Sequence, residues 1–108
     1  MCNYQLLAQS KLGYIKRCDS CKKVKFVFGT LTATMTQDEL EQIQVSLHNE
    51  LKNLRHQPYE STRLYELPLD EKISINMIRT EMDGLYEMVH TANNMAELYS
   101  YIEVEAEG

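Results

Sequence analysis

Apolar and polar positions along this chain follow two periods. They alternate with period two over residues 24–35 and again over residues 63–77, and they recur every three or four residues over 36–55 and 80–102. The first pattern predicts strands and the second predicts helices. A shorter β-favouring run covers residues 14–18. Between it and the Val- and Phe-rich run at 24–28 lies Cys18-Asp19-Ser20-Cys21-Lys22-Lys23, whose Asp and Ser suit a tight turn because their side chains bond nearby backbone groups. A hairpin with Cys18 and Cys21 at its tip is expected. A first strand is expected over residues 3–9, turned by Lys11-Leu12-Gly13. Residues 24–35 read as one long strand in which Gly29 marks a bulge or a close backbone approach. In that register Val27, Leu31, Ala33 and Met35 share the core face. Phe26, Phe28, Thr30, Thr32 and Thr34 share the other face, where a second copy of the chain is the expected cover.

Thr36 with Glu39 three residues on forms a capping box, and Asp38 favours the positive end of a helix. The stripe Leu40, Ile43, Leu47, Leu51, Leu54 follows, and the helix should stop near residues 55–56, ahead of Pro58. Residues 57–62 read as a polar loop. Tyr65, Leu67 and Leu69 then alternate in a strand whose Pro68 marks an edge or an end, and Asp70-Glu71 makes a turn. Ile73, Ile75 and Met77 are expected to point inward. Thr80 reads as the second cap, with Met82, Leu85, Tyr86 and Val89 on the buried stripe and Gly84 permitting close packing. Asn93-Asn94 reads as a break or kink. Met95, Leu98, Tyr99 and Ile102 continue at helical spacing, and the acidic end, residues 103–108, should fray.

A shift of 42 residues superimposes the halves. Leu31, Ala33 and Met35 fall on Ile73, Ile75 and Met77, Glu39 falls on Glu81, Ile43 on Leu85, and Leu47 on Val89. The fold class expected is α+β: one domain over residues 1–108, with a pseudo-repeat over 14–56 and 63–102. Duplicated β-β-α units would form one antiparallel-rich sheet with both helices on one face.

The 44% hydrophobic and 25% charged fractions belong to an ordinary globular chain. No apolar stretch is long enough to span a membrane. The opening residues show no charged segment followed by an apolar one, so no secretory leader is expected. Three cysteines, Cys2, Cys18 and Cys21, favour the reducing cytoplasm. Charge is segregated. Residues 1–35 carry six basic residues against Asp19, a net of +5, and the remainder carries five basic against fifteen acidic, a net of −10. A solvated lysine face guarding a strand explains this most simply. A footprint for an acidic partner or nucleic acid comes second, and overall acidity makes nucleic acid the weaker of those two.

Two cysteines in a turn are half of a zinc site, which takes four ligands. His48, His56 and His90 stand at no recognisable partner spacing. Reduced structural thiols therefore rank first for Cys18 and Cys21, zinc (including a site shared by two chains) second, and redox chemistry third. Redox cysteines usually open a helix, and Cys21 leads into a strand, although Arg17, Lys22 and Lys23 keep thiol reactivity open. The four glycines are scattered and form no phosphate loop. The helix-start carboxylates Asp38, Glu39 and Glu41 read as caps. No nucleophile–base pair is visible, so an enzyme is not expected, nor any cofactor beyond the zinc alternative.

Residues 13–21, 26–30, 38–40 and 67–77 carry the pattern Gly-Tyr-Ile-x-Arg-Cys-x-x-Cys, Phe-x-Phe-Gly-Thr, Glu-Leu at a helix start, then Leu-Pro-Leu and Ser-Ile-Asn. This resembles an uncharacterised family of short bacterial proteins known only as a domain of unknown function, over most of the chain. The resemblance implies no catalytic residues, and it makes the CxxC a family feature without naming its ligand. The leading expectation is a non-enzymatic interaction module, a homodimer acting through the sheet face of Phe26 and Phe28 with Lys22 and Lys23 beside it. The alternatives are a zinc-binding hairpin that contacts nucleic acid or an acidic partner, and a thiol redox sensor.

Overall fold

The structure, a computed structural model, describes residues 3–58, 60, 63–69 and 71–107, with side chains described through residue 102. Six strands and two helices follow in the order β1 (Tyr4–Gln9), β2 (Gly13–Cys18), β3 (Val24–Phe28), β4 (Leu31–Met35), α1 (Gln37–Leu54), β5 (Tyr65–Pro68), β6 (Ser74–Met77) and α2 (Arg79–Glu107). The class is α+β. The single expected sheet is in fact two: a four-stranded meander, β1-β2-β3-β4, and a separate β5–β6 hairpin. Cys2 and Asp70, with parts of the loop at 57–62 and the acidic side chains at 103–108, lie outside what is described.

Gly29 sets the polarity of the larger sheet. Residues 24–35 are two strands joined by a two-residue turn, with Phe28 paired to Leu31 and Gly29 at φ +60°. A turn with glycine at its first central position matches the twist of a hairpin, because positive φ costs glycine nothing. Paired residues in a hairpin share a face, so Val24, Phe26 and Phe28 point the same way as Met35, into the core. Phe26 is 0% exposed and Phe28 is 7% exposed. The expected partner face of Phe26 and Phe28 is thus corrected: both are smothered by their own chain, and Val27 faces outward.

The inner face is continued by Ile15 and Arg17 of β2, in register with Phe26 and Val24. In β1 the register slips between Leu6 and Ala8. That bulge lets consecutive Leu7 and Ala8 both be buried. Leu40, Ile43 and Leu47 of α1 join Met82, Leu85, Val89 and Ala92 of α2 in one apolar cluster over this face, and α2 lies across β1 and β2.

The first helix begins as its sequence predicts. Thr36 N–H donates to Glu39 Oε1 (3.1 Å) and Glu39 N–H donates to Thr36 Oγ1 (3.2 Å), and the helix ends at Leu54 with Arg55 as cap. The second helix starts earlier than expected. Its first turn closes on the Ile78 carbonyl, and Ile78 N–H donates to Glu81 Oε1 at 3.0 Å, so Ile78 rather than Thr80 occupies the cap position. The expected break at Asn93-Asn94 is absent, and α2 runs through to Glu107. Asparagine interrupts helices when its side chain competes for the backbone; here both side chains are engaged elsewhere, as described below. Of the four residues expected at helical spacing, Met95 and Tyr99 pack against the core, whereas Leu98 and Ile102 are 50% and 52% exposed. Ile73 is also exposed, and of its expected inward row Met77 alone is fully buried.

At the 42-residue offset Gln37, the first residue of α1, falls on Arg79, the first of α2. Buried Met35, Leu40, Ile43 and Leu47 fall on buried Met77, Met82, Leu85 and Val89. The two stretches differ in that β1 and β2 precede the first, and their hairpins belong to different sheets.

Gly84 does not serve close packing: a Cβ built there meets nothing within 4 Å. Gly84→Ala should therefore raise stability by about 1 kcal/mol, through helix propensity alone. An unchanged or lower urea midpoint would contradict the open space on that side of α2.

Candidate functional site

Two places on this fold are candidates for contact with another molecule. The first is the outer face and free edge of the four-stranded sheet. The side chains facing away from the helices are Tyr4 and Leu6 of β1, Tyr14 and Lys16 of β2, Lys25 and Val27 of β3, and Thr32 and Thr34 of β4. Tyr4 and Leu6 are 47% and 46% exposed, and Lys16 Nζ sits 4.8 Å from the centre of the Tyr14 ring, a cation–π contact along one strand.

The two edges of this sheet differ. The β1 edge carries the bulge, a common way to discourage strand addition. The β4 edge, Leu-Thr-Ala-Thr-Met, has no charge, proline or bulge. Because Phe28 and Leu31 flank a two-residue turn, they are a hydrogen-bonded pair, as are Phe26 with Ala33 and Val24 with Met35 by alternation. The backbone groups of Thr32 and Thr34 point the other way, out of the sheet, where no described strand pairs with them.

The cysteine turn closes the far end of this sheet. Cys18 N–H donates to the Lys23 carbonyl (2.9 Å), Lys22 N–H donates to the Cys18 carbonyl (3.0 Å), and Lys22 takes φ +62°. The expected hairpin tip is found there. Its thiols are unequal: Cys18 is buried, with Sγ 3.4 Å from Ser20 Oγ, while Cys21 is exposed, and no disulfide joins them. Lys22 and Lys23 are both exposed at the tip. Among the described residues no three Cys, His, Asp or Glu side chains gather as metal ligands.

The second place is a polar cleft of about 410 Å³ between α1, α2 and the end of β2. Burial grades along its lining: Arg17 is 5% exposed, and Gln37, Gln44 and Asn93 are half-buried. Its mouth holds Glu41, Asn94, Glu97 and Ser100, all exposed. The walls are cross-linked. Gln37 Nε2 donates to Asn93 Oδ1 (2.7 Å), Asn93 Nδ2 donates to Gln44 Oε1, and Gln44 Nε2 lies 2.8 Å from His90 Nδ1. Asn94 Nδ2 reaches His90 Nε2 at 3.3 Å, and the His90 ring stacks on Tyr86.

None of these cleft residues was singled out from the sequence as a site. A signal existed: Gln37, Glu41 and Gln44 on one helix and Asn93, Glu97 and Ser100 on the other share the spacing i, i+4, i+7, each a polar stripe beside an apolar one. Arg17, likewise, falls in the alternating inward row of Ile15. Two polar stripes become a site only when the helices that bear them pack together.

A family model described as a family of unknown function (DUF6686) matches residues 1–107, and the chain belongs to that family. No curated protein and no solved structure matches it. Among the described residues no helix is long and apolar enough to cross a membrane.

Proposed function

We propose that this member of DUF6686 is a non-enzymatic interaction module of the cytoplasm that pairs with a second copy of itself through the free edge of β4. The observation that carries this reading is an uncharged, unbulged edge strand whose Thr32 and Thr34 are exposed and whose outward backbone groups meet no other strand among the described residues. A two-fold axis beside Ala33 sets Thr32 of each copy against Thr34 of the other. That arrangement exchanges backbone hydrogen bonds, lays threonine against threonine on the outer face, and opposes no charges. The meander becomes a continuous eight-stranded sheet, and the outer faces of both copies join into one broad surface for further contacts.

Native mass spectrometry should give twice the chain mass of 12.6 kDa. Thr32→Pro removes an outward N–H without touching the β3–β4 ladder, so it should return the mass to one chain while leaving the circular dichroism unchanged. A monomeric parent, or a dimer that survives Thr32→Pro, sinks the edge pairing. A dimer lost instead in Leu98→Glu/Ile102→Glu would move the interface to the exposed end of α2. The same spectrum reads bound metal. About half a zinc per chain would favour the alternative in which two hairpins share one ion through Cys18 and Cys21.

A further inference from the structure

We infer that the cleft between α1 and α2 binds a small zwitterion, a free α-amino acid or a molecule that presents the same paired carboxylate and ammonium. The cleft is polarised. A guanidinium is buried at its inner end and two carboxylates, Glu41 and Glu97, stand at its mouth, with amides between them. Such an order suits a molecule carrying its negative group inward and its positive group outward. A simple anion would have to pass the carboxylates, and a simple cation would be repelled by Arg17.

Guanidinium presents a planar fork that takes a carboxylate through two hydrogen bonds. Arg17 already has an interaction within the chain, and its five N–H groups leave donors for a second acceptor. Gln37 Oε1 is a buried acceptor with no hydrogen-bond partner among the described residues, while the same side chain's Nε2 is committed to Asn93. It calls for a donor, which an ammonium group supplies. The volume, about 410 Å³, admits a small polar solute. The wall is built of amides and charges in place of the apolar lining that larger ligands require. The chain of bonds Gln37–Asn93–Gln44–His90 holds the amides in one arrangement before any ligand arrives, which lowers the cost of binding. This proposal is independent of the β4 pairing, because the cleft lies on the helix side of the sheet.

Thermal unfolding of the full chain with each proteinogenic L-amino acid at millimolar concentration tests it. At least one should raise Tm by about 5 °C. For that amino acid, calorimetry should show the deaminated carboxylate and the decarboxylated amine each binding about tenfold or more weakly. Glu41→Gln/Glu97→Gln alters exposed side chains alone, so the variant should fold as the parent does. It should lose about tenfold in affinity for the amino acid, while the deaminated carboxylate, no longer repelled at the mouth, should bind no more weakly than to the parent. Arg17→Lys, if folded, should weaken both. No shift with any amino acid overturns the proposal. So does equal binding by the deaminated carboxylate or by inorganic phosphate, which would make the cleft a plain anion site.

Discussion

Phe26→Ala is expected to cost about 4 kcal/mol, the upper range for removing a fully buried aromatic ring. The ring is completely enclosed, and its strand partners, Ile15 on one side and Ala33 on the other, are fixed in ladders and do not collapse readily into the space. A domain of this size holds about 5–15 kcal/mol in total, so the variant should melt about 20 °C lower or fail to accumulate. The measurement separates two accounts of the same residue. A Phe26 on an exposed contact face would change oligomeric mass and leave the chemical-denaturation midpoint of the single chain alone. A midpoint shift of less than about 1 kcal/mol would return Phe26 to the surface and undo the hairpin at Gly29.

Gly13→Ala should be the next most damaging change, at about 3 kcal/mol. A Cβ at this position would lie 1.9 Å from the Val27 carbonyl oxygen and 2.7 Å from its carbon. Both are backbone atoms of β3, so no rotamer change relieves the clash; β2 has to move away from β3 at the start of their ladder. Gly29 N–H also donates to the Leu12 carbonyl at 2.7 Å, which ties the β1–β2 turn to the β3–β4 turn at this end of the sheet. Shifting β2 strains that contact too. Urea unfolding followed by circular dichroism reads the loss directly, and a variant with the parent's midpoint would show that the two strands are not in close contact there. Gly84→Ala is the internal control, since the same substitution in open space should stabilise.

Much of the architecture was legible in the chain. Thr36 and Glu39 announce α1, Pro58 bounds it, Pro68 ends β5, and the stripes Leu40–Ile43–Leu47 and Met82–Leu85–Val89 mark the faces that become the core. These are local rules, in which a cap, a ring that fixes φ, or a period of 3.6 acts within a few residues. Gly29 misled because a glycine inside an alternating run fits both a bulge and a two-residue turn. The choice between them inverts the inward and outward rows of the strand before it. Asn93-Asn94 misled for a related reason. Asparagine breaks a helix only when its side chain has nothing better to bond; Gln37 and Gln44 of the facing helix supply that alternative to Asn93, and His90, one turn earlier on the same helix, supplies it to Asn94.

By itself, then, the sequence determined the kinds of element, most of their limits and the apolar stripes, because these depend on neighbours within a turn or two. Tertiary structure alone decided which side of the sheet holds Phe26 and Phe28, that the second hairpin stands apart from the first sheet, and that Arg17 meets two polar helix stripes in one cleft. Each of those outcomes depends on how separate elements are brought together, and the energy that brings them together, burial of apolar surface, carries no direction of its own.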